Sequence, residues 1–175
     1  LRRLPYFRPN VLPENIKALP DLYNGMEWVN ITYNDPARRR MIDGICGRPF
    51  GLWEMIRRGG VGTPRLQLVE ATMGLLAPFD RTEDRRYCSM EARSEGILLR
   101  CRSRLETMGL PIPYSGLGEV VMGTPGAVGF GELHLRMDAG PTLLIHVPRD
   151  HWTTVAHLLR RSLPEGRFRT RASVA

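Results

Sequence analysis

The sequence predicts a domain that mixes strands with amphipathic helices, and three stretches predict it. Leu133/Leu135 and Leu143/Ile145 flank Asp138-Ala139-Gly140 and read as two paired strands joined by a turn. Between Arg149 and Arg161, an apolar stripe of Trp152, Val155, Ala156, Leu159 and Leu163 recurs at helical spacing. Arg160 and Arg161 sit at its C-terminal end, where the helix dipole favours cations. From Leu99 the run Gly96 to Arg104 alternates, so Arg100, Arg102 and Arg104 share one strand face. Neighbouring stems on that face stand ~6.6 Å apart, two strand rises. Like charges so spaced face either an anion or bulk water.

The elements follow in chain order. Residues 1–25 carry Pro5, Pro9, Pro13 and Pro20 and little periodicity, which predicts an extended arm. Tyr6, Phe7 and Arg8 in it suit either RNA stacking or plugging an apolar groove. Glu27 to Tyr33 is rich in β-branched and aromatic residues and reads as a strand ended by Asn34-Asp35-Pro36. Arg38-Arg39-Arg40 follows, a solvated face or a phosphate contact. The glycine-rich stretch 44–62 matches neither GxxxxGK[ST] nor GxGxxG opening a helix, so nucleotide binding is a poor reading. Within it Phe50 to Met55 is apolar enough to pack on a core.

Thr63-Pro64 has the form of a helix start, and Leu66, Val69, Met73 and Leu76 continue at helical spacing to Pro78. Residues 80–95 interleave carboxylates with arginines, predicting a solvated loop or short helix held by surface ion pairs. Met108 to Gly118, with two prolines and three glycines, reads as a long loop.

Composition bounds the function classes. At 175 residues the chain is long enough for one sizeable core. The formal charge of +7 favours a polyanionic partner, and no apolar run approaches the ~20 residues of a membrane span. Lys17 is the sole lysine; the rest of the basic residues are arginines. Arginine pairs bidentately with phosphate and stacks on bases, although GC-rich coding gives the same enrichment. Cys46, Cys88 and Cys101 are odd in number and lack a CxxC, so neither a zinc knuckle nor a disulfide framework is expected. His151 and His157 are six apart, off one helical face, and His134 and His146 complete a set read as structural or surface residues. No catalytic set, metal site or cofactor is expected. Leu1-Arg2-Arg3-Leu4 suits the remnant beside a cleaved targeting peptide.

Several motifs stand in a familiar order. They are Phe50-Gly51-Leu52, Arg58-Gly59-Gly60 with Thr63, Val69-Glu70-Ala71, and Ile97-Leu98-Leu99-Arg100. Pro111 and Pro113 follow, then Val121-Met122-Gly123-Thr124-Pro125-Gly126, and finally Ser162-Leu163-Pro164 running to Arg171. In order and spacing, residues 44–171 resemble the bacterial and organellar branch of large-subunit ribosomal protein sixteen in the universal scheme. Two departures stand out. The family's loop arginine falls on Val121, and its loop lysines fall near Thr124 and Pro125.

The resemblance implies an α+β domain, an antiparallel β-sheet core with two amphipathic helices packed on it, in a divergent mitochondrial member. Residues 1–43 would be an extended N-terminal extension, 80–95 a charged insertion and 172–175 a tail. It implies a non-enzymatic constituent of the large ribosomal subunit in the mitochondrial matrix, near the central protuberance and the tRNA sites. Its partners would be large-subunit rRNA, neighbouring ribosomal proteins and tRNA. The expected rRNA-binding residues are Arg48, Arg57, Arg58, Arg65, Arg100, Arg102, Arg104, Arg167, Arg169 and Arg171, with Met122, Gly123 and Gly126 as a tRNA-site loop. Two alternatives compete with it. One is an interaction subunit of another large mitochondrial assembly. The other is a small enzyme whose basic cleft, built on 44–62, binds an anionic metabolite.

Overall fold

The computed structural model describes residues 26–72, 75–76, 79, 86–103, 105–127, 129–138 and 140–171. They form an α+β fold dominated by one nine-stranded sheet. In chain order its elements are β1 (Val29–Asn30), α1 (Pro36–Cys46), α2 (Leu52–Arg57), β2 (Leu66–Ala71), β3 (Arg86–Ala92), β4 (Gly96–Ser103) and β5 (Glu106–Pro113). A 3-10 turn (Tyr114–Gly116) leads to β6 (Leu117–Gly123), β7 (Phe130–Met137), β8 (Thr142–Pro148), α3 (Arg149–Ser162) and β9 (Phe168–Arg171). The strand order is β1-β5-β4-β3-β2-β8-β7-β6-β9, antiparallel throughout except for the parallel pair β6/β9.

The sheet curls around its core. The seven strands from β5 to β6 would span about 29 Å if flat, at ~4.8 Å per step, and a single helix about 10 Å wide would not cover them. Yet Leu110, Leu99, Met90, Leu68, Ile145, Leu135 and Met122, one from each of those strands, share a single buried cluster with Val155 and Leu159 of α3. The hairpin β7/β8 stands as expected, with Leu133 opposite Ile145 and Leu135 opposite Leu143. The α3 stripe also holds: Val155, Ala156, Leu159 and Leu163 are buried, and Trp152 packs against them.

Other expectations are corrected. Among the described residues the helix predicted from Thr63 to Leu76 does not form; Leu66–Ala71 is strand β2. A β-bulge at Val69 separates Leu68 (opposite Ile145) from Ala71 (opposite Leu143), so inward positions fall at 66, 68 and 71. Of the stripe read as helical, Leu66 faces inward, Val69 sits at the bulge and Met73 lies outside the described residues, so that spacing does not mark the buried face. The loop predicted over Met108–Gly118 is mostly β5 and the start of β6. Prolines survive in β5 because it lies near the sheet edge. Thr107 uses both its backbone groups outward: Ile31 N donates to its oxygen (2.8 Å), and its own N–H donates to Thr32 Oγ1 (2.7 Å). Pro111 and Pro113 share that parity, so each missing N–H falls on the open edge.

Residues 86–92 of the charged stretch form β3, with Cys88, Met90 and Ala92 buried; residues 80–85 lie outside the described residues. The strand expected over Glu27–Tyr33 shrinks to Val29–Asn30, and Asp35-Pro36 starts a helix as well as ending that stretch. Asp35 caps α1 by accepting from Ala37 N (2.9 Å), with Pro36 in the first turn. Residues 26–43 are therefore integral to the fold. Trp28 Nε1 donates to Leu75 O (2.6 Å), and Ile42 and Cys46 of α1 pack on Leu98 from the outer face of the sheet. The proline arm expected over 1–25 lies outside the described residues. Phe50–Met55 does not pack into the core either, since no residue of α2 is buried.

Candidate nucleic-acid interface

The arginines expected to meet RNA fall into three groups. The first is on the outer face of β2-β3-β4. Ile97, Leu99 and Cys101 point inward and are buried, which turns Arg100 and Arg102 outward. Arg100 lies opposite Ser89 of β3, and Tyr87 lies opposite Gln67 of β2. Arg65, just before β2, lays its guanidinium 3.3 Å from the centroid of the Tyr87 ring. Arg65, Tyr87, Arg100 and Arg102 thus occupy one face of three adjacent strands.

The electrostatics of this face are graded. Arg102 is exposed, and no described carboxylate pairs with it. Arg100 pairs with Glu91, while its buried Nε has no hydrogen-bond partner. Glu91 also approaches Arg93, whose Nε lies 3.1 Å from Glu91 Oε1 without hydrogen-bond alignment. Arg93 is 7% exposed and donates to Asp43 Oδ1 (2.7 Å) and to Gly47 O (3.3 Å). It ties α1 to the sheet rather than facing a ligand. Arg104 lies outside the described residues.

The second group lines a cleft of about 750 Å3 between α1, α2 and the end of α3. Arg48, Arg58, Arg93 and Arg161 border it, with Asp43, Glu54 and Glu95 among them. Arg58 is engaged, donating through Nε and Nη2 to Glu54 Oε1 (3.1 and 3.0 Å) and stacking over Phe50. Arg57 points to solvent, and its carbonyl accepts from Arg161 Nη2 (3.3 Å). Tyr114, also on the cleft wall, is pushed from its ordinary 10.0 to about 12, chiefly by burial.

The third group is on β9. Arg169 lies opposite Val121 and Arg171 opposite Gly123 of β6, and both border a groove of about 480 Å3 with His134 and Arg136 of β7. Arg169 is 3.7 Å from Glu119 and Arg167 is 3.6 Å from Asp138, so two of the three tail arginines have a carboxylate nearby. Farther along that outer face His146 stacks on Phe130, ring centroids 3.9 Å apart. Burial lowers the His146 pKa, with Glu132 and Glu70 opposing, so it adds no positive charge at neutral pH.

The expected tRNA-site loop is not a loop at its start. Met122 lies in β6 and is fully buried, so it presents nothing to a ligand. Gly123 ends that strand, and its carbonyl accepts from Trp152 Nε1 (2.8 Å). Gly126 O accepts from Arg149 Nη2 (2.7 Å), so α3 pins the turn from within the protein.

Sequence reasoning missed Tyr87, Glu91, Arg93, Arg136 and Arg161. The first three sit where the charge density of 80–95 hid an alternation, Tyr87/Ser89/Glu91 outward and Cys88/Met90/Ala92 inward. Among the described residues no cluster of His, Cys, Asp and Glu could hold a metal ion, and no helix is long and apolar enough to cross a membrane. No protein-family model matches the chain, and no curated protein matches it.

Proposed function

We propose that the protein is a non-catalytic RNA-binding constituent of a large ribosomal subunit, of the mitochondrial kind, contacting rRNA through arginines on its outer sheet face. The observation that carries the RNA reading is the convergence of Arg65, Tyr87, Arg100 and Arg102 on three adjacent strands. Guanidinium groups supply phosphate pairing, and an aromatic ring beside them suits base stacking. The ribosomal assignment rests on the order and spacing of the motifs. Two of its landmarks, Val69-Glu70-Ala71 and Met122-Gly123, stand on strands here, so the arginine face is the firmer support.

The test is binding of the purified chain to large ribosomal subunits and to rRNA fragments at several salt concentrations. The triple variant R65Q/R100Q/R102Q should weaken binding and lower the log–log salt slope by about 2, at about 0.7 per single-strand phosphate contact. Absence of cosedimentation at low salt sinks the ribosomal reading. RNA affinity unchanged in the triple variant sinks the interface.

The cleft bordered by Arg48, Arg58 and Arg161 favours a second reading, an enzyme or carrier for an anionic metabolite. Saturable one-to-one calorimetric binding of pyrophosphate, lost in Arg161→Gln and Arg48→Gln, would favour it over the first.

A further inference from the structure

The helix α2 is a turn and a half long, and it is turned inside out. Leu52, Trp53 and Ile56, at positions i, i+1 and i+4, share one face and are 66%, 83% and 61% exposed. Six residues are too few to hold a helix in water unaided. Polar tethers hold this one: Arg58 on Glu54, Arg58 over Phe50, and Arg161 on Arg57 O. None of those tethers uses the apolar residues, which the fold leaves facing solvent. Glycines bracket the unit, Gly47 at φ +78° before it and Gly59 and Gly60 at +65° and +101° after it. Within this glycine-bracketed unit Trp53 is the most exposed apolar side chain.

We infer that this face is a docking surface for a partner protein, one with an apolar groove rimmed by carboxylates. Charge complementarity decides the occupant. The helix's own carboxylate, Glu54, is taken by Arg58, while the exposed side chains of Arg48 and Arg57 meet no described carboxylate. An apolar knob with a cationic rim fits an acidic-rimmed groove, and tryptophan with arginine is the usual make-up of an interface hot spot. A second copy fits poorly, because a two-fold contact would set Arg48 and Arg57 against their own images. RNA fits poorly, because leucine and isoleucine offer no stacking plane. A bilayer fits poorly, because interfacial binding scales with the apolar area buried, and three side chains on six residues offer little of it. This inference does not depend on the RNA reading.

The test places a benzophenone photo-crosslinker at position 53 of the full chain in its native assembly. The expected result is a crosslink to one protein, at a segment with carboxylates beside apolar residues. L52S/I56S should abolish it, and Arg57→Glu should reduce it several-fold. Because Leu52 and Ile56 are exposed and belong to none of the arginine groups, L52S/I56S should keep its melting temperature and its rRNA affinity, which separates failure here from failure of the RNA reading. Four results would overturn the inference: a crosslink to RNA, a crosslink to a second copy with a dimer seen in sedimentation, flotation with phosphatidylserine vesicles that L52S/I56S removes, or no crosslink above background.

Discussion

Arg93 joins fold and function at a single residue. Its guanidinium is nearly buried between Asp43 of α1 and Glu91 of β3, and Glu91 also pairs with Arg100 on the candidate interface. Removing one partner of a buried ion costs about 3–5 kcal/mol when nothing else compensates. Glu91 and the Gly47 carbonyl remain in Asp43→Ala, so a loss of about 2 kcal/mol is expected in urea denaturation. Glu91→Gln should act in opposite directions on two readouts. Freed Arg100 should raise RNA affinity by about two- to fivefold, while the weaker hold on Arg93 should lower the melting temperature. A rise or fall in both together would contradict the shared role. Cys46 makes a pH prediction. Burial, opposed by Arg93, pushes its thiol from 9.0 to about 11. The raised folded-state value means the folded form holds its proton more tightly, so this stability is complete below pH 9 and fades as pH rises towards 11. Chemical denaturation across that window should show a loss on the order of 2–3 kcal/mol, and Cys46→Ala should flatten it.

At the scale of elements, the docking of α1 shows how one atom decides a placement. A Cβ on Gly96 would lie 2.3 Å from Ile112 O and 2.6 Å from Cys46 Cβ. Only glycine lets the helix end rest on the turn between β3 and β4, where Glu95 N donates to Cys46 O (3.1 Å). Gly96→Ala should therefore destabilise by about 3 kcal/mol, and amide exchange should quicken first in α1. The cap Asp35 is worth about 1 kcal/mol, read from Asp35→Ala in the same assay. Two of the chain's Asp/Thr-Pro pairs teach a related lesson. Thr63-Pro64 and Asp35-Pro36 carry the same start signal, yet only the second opens a helix. After Pro64 the chain finds open ladders on both β3 and β8, and two rows of strand hydrogen bonds outweigh a local propensity of a few tenths of a kcal/mol per residue. After Pro36 the chain joins no ladder, and the cap prevails.

At the scale of the molecule, β4 and β9 are six strand steps apart, about 29 Å along the curled sheet. The arginines of the outer face and of the tail are therefore separate patches. Their contributions to RNA binding should add, so R169Q/R171Q combined with R65Q/R100Q/R102Q should lose the product of the separate factors in a salt-titrated binding assay. A single phosphate track across both would instead give a combined loss smaller than that product. By itself the sequence determined the elements whose period is unbroken and local: the Leu133/Leu135–Leu143/Ile145 hairpin, the α3 stripe, the outward Arg100/Arg102 pair and the positive charge. Tertiary structure alone decided the rest. It set β2 against its helical spacing through a bulge, admitted prolines to β5 through an open edge, drew Tyr87 beside Arg65 from a charged stretch, buried Met122 and left Trp53 outside. In each case the deciding term was a partner far away in the chain, a ladder, an edge, a ring or a core, and residue spacing along a single strand or helix does not encode such a partner.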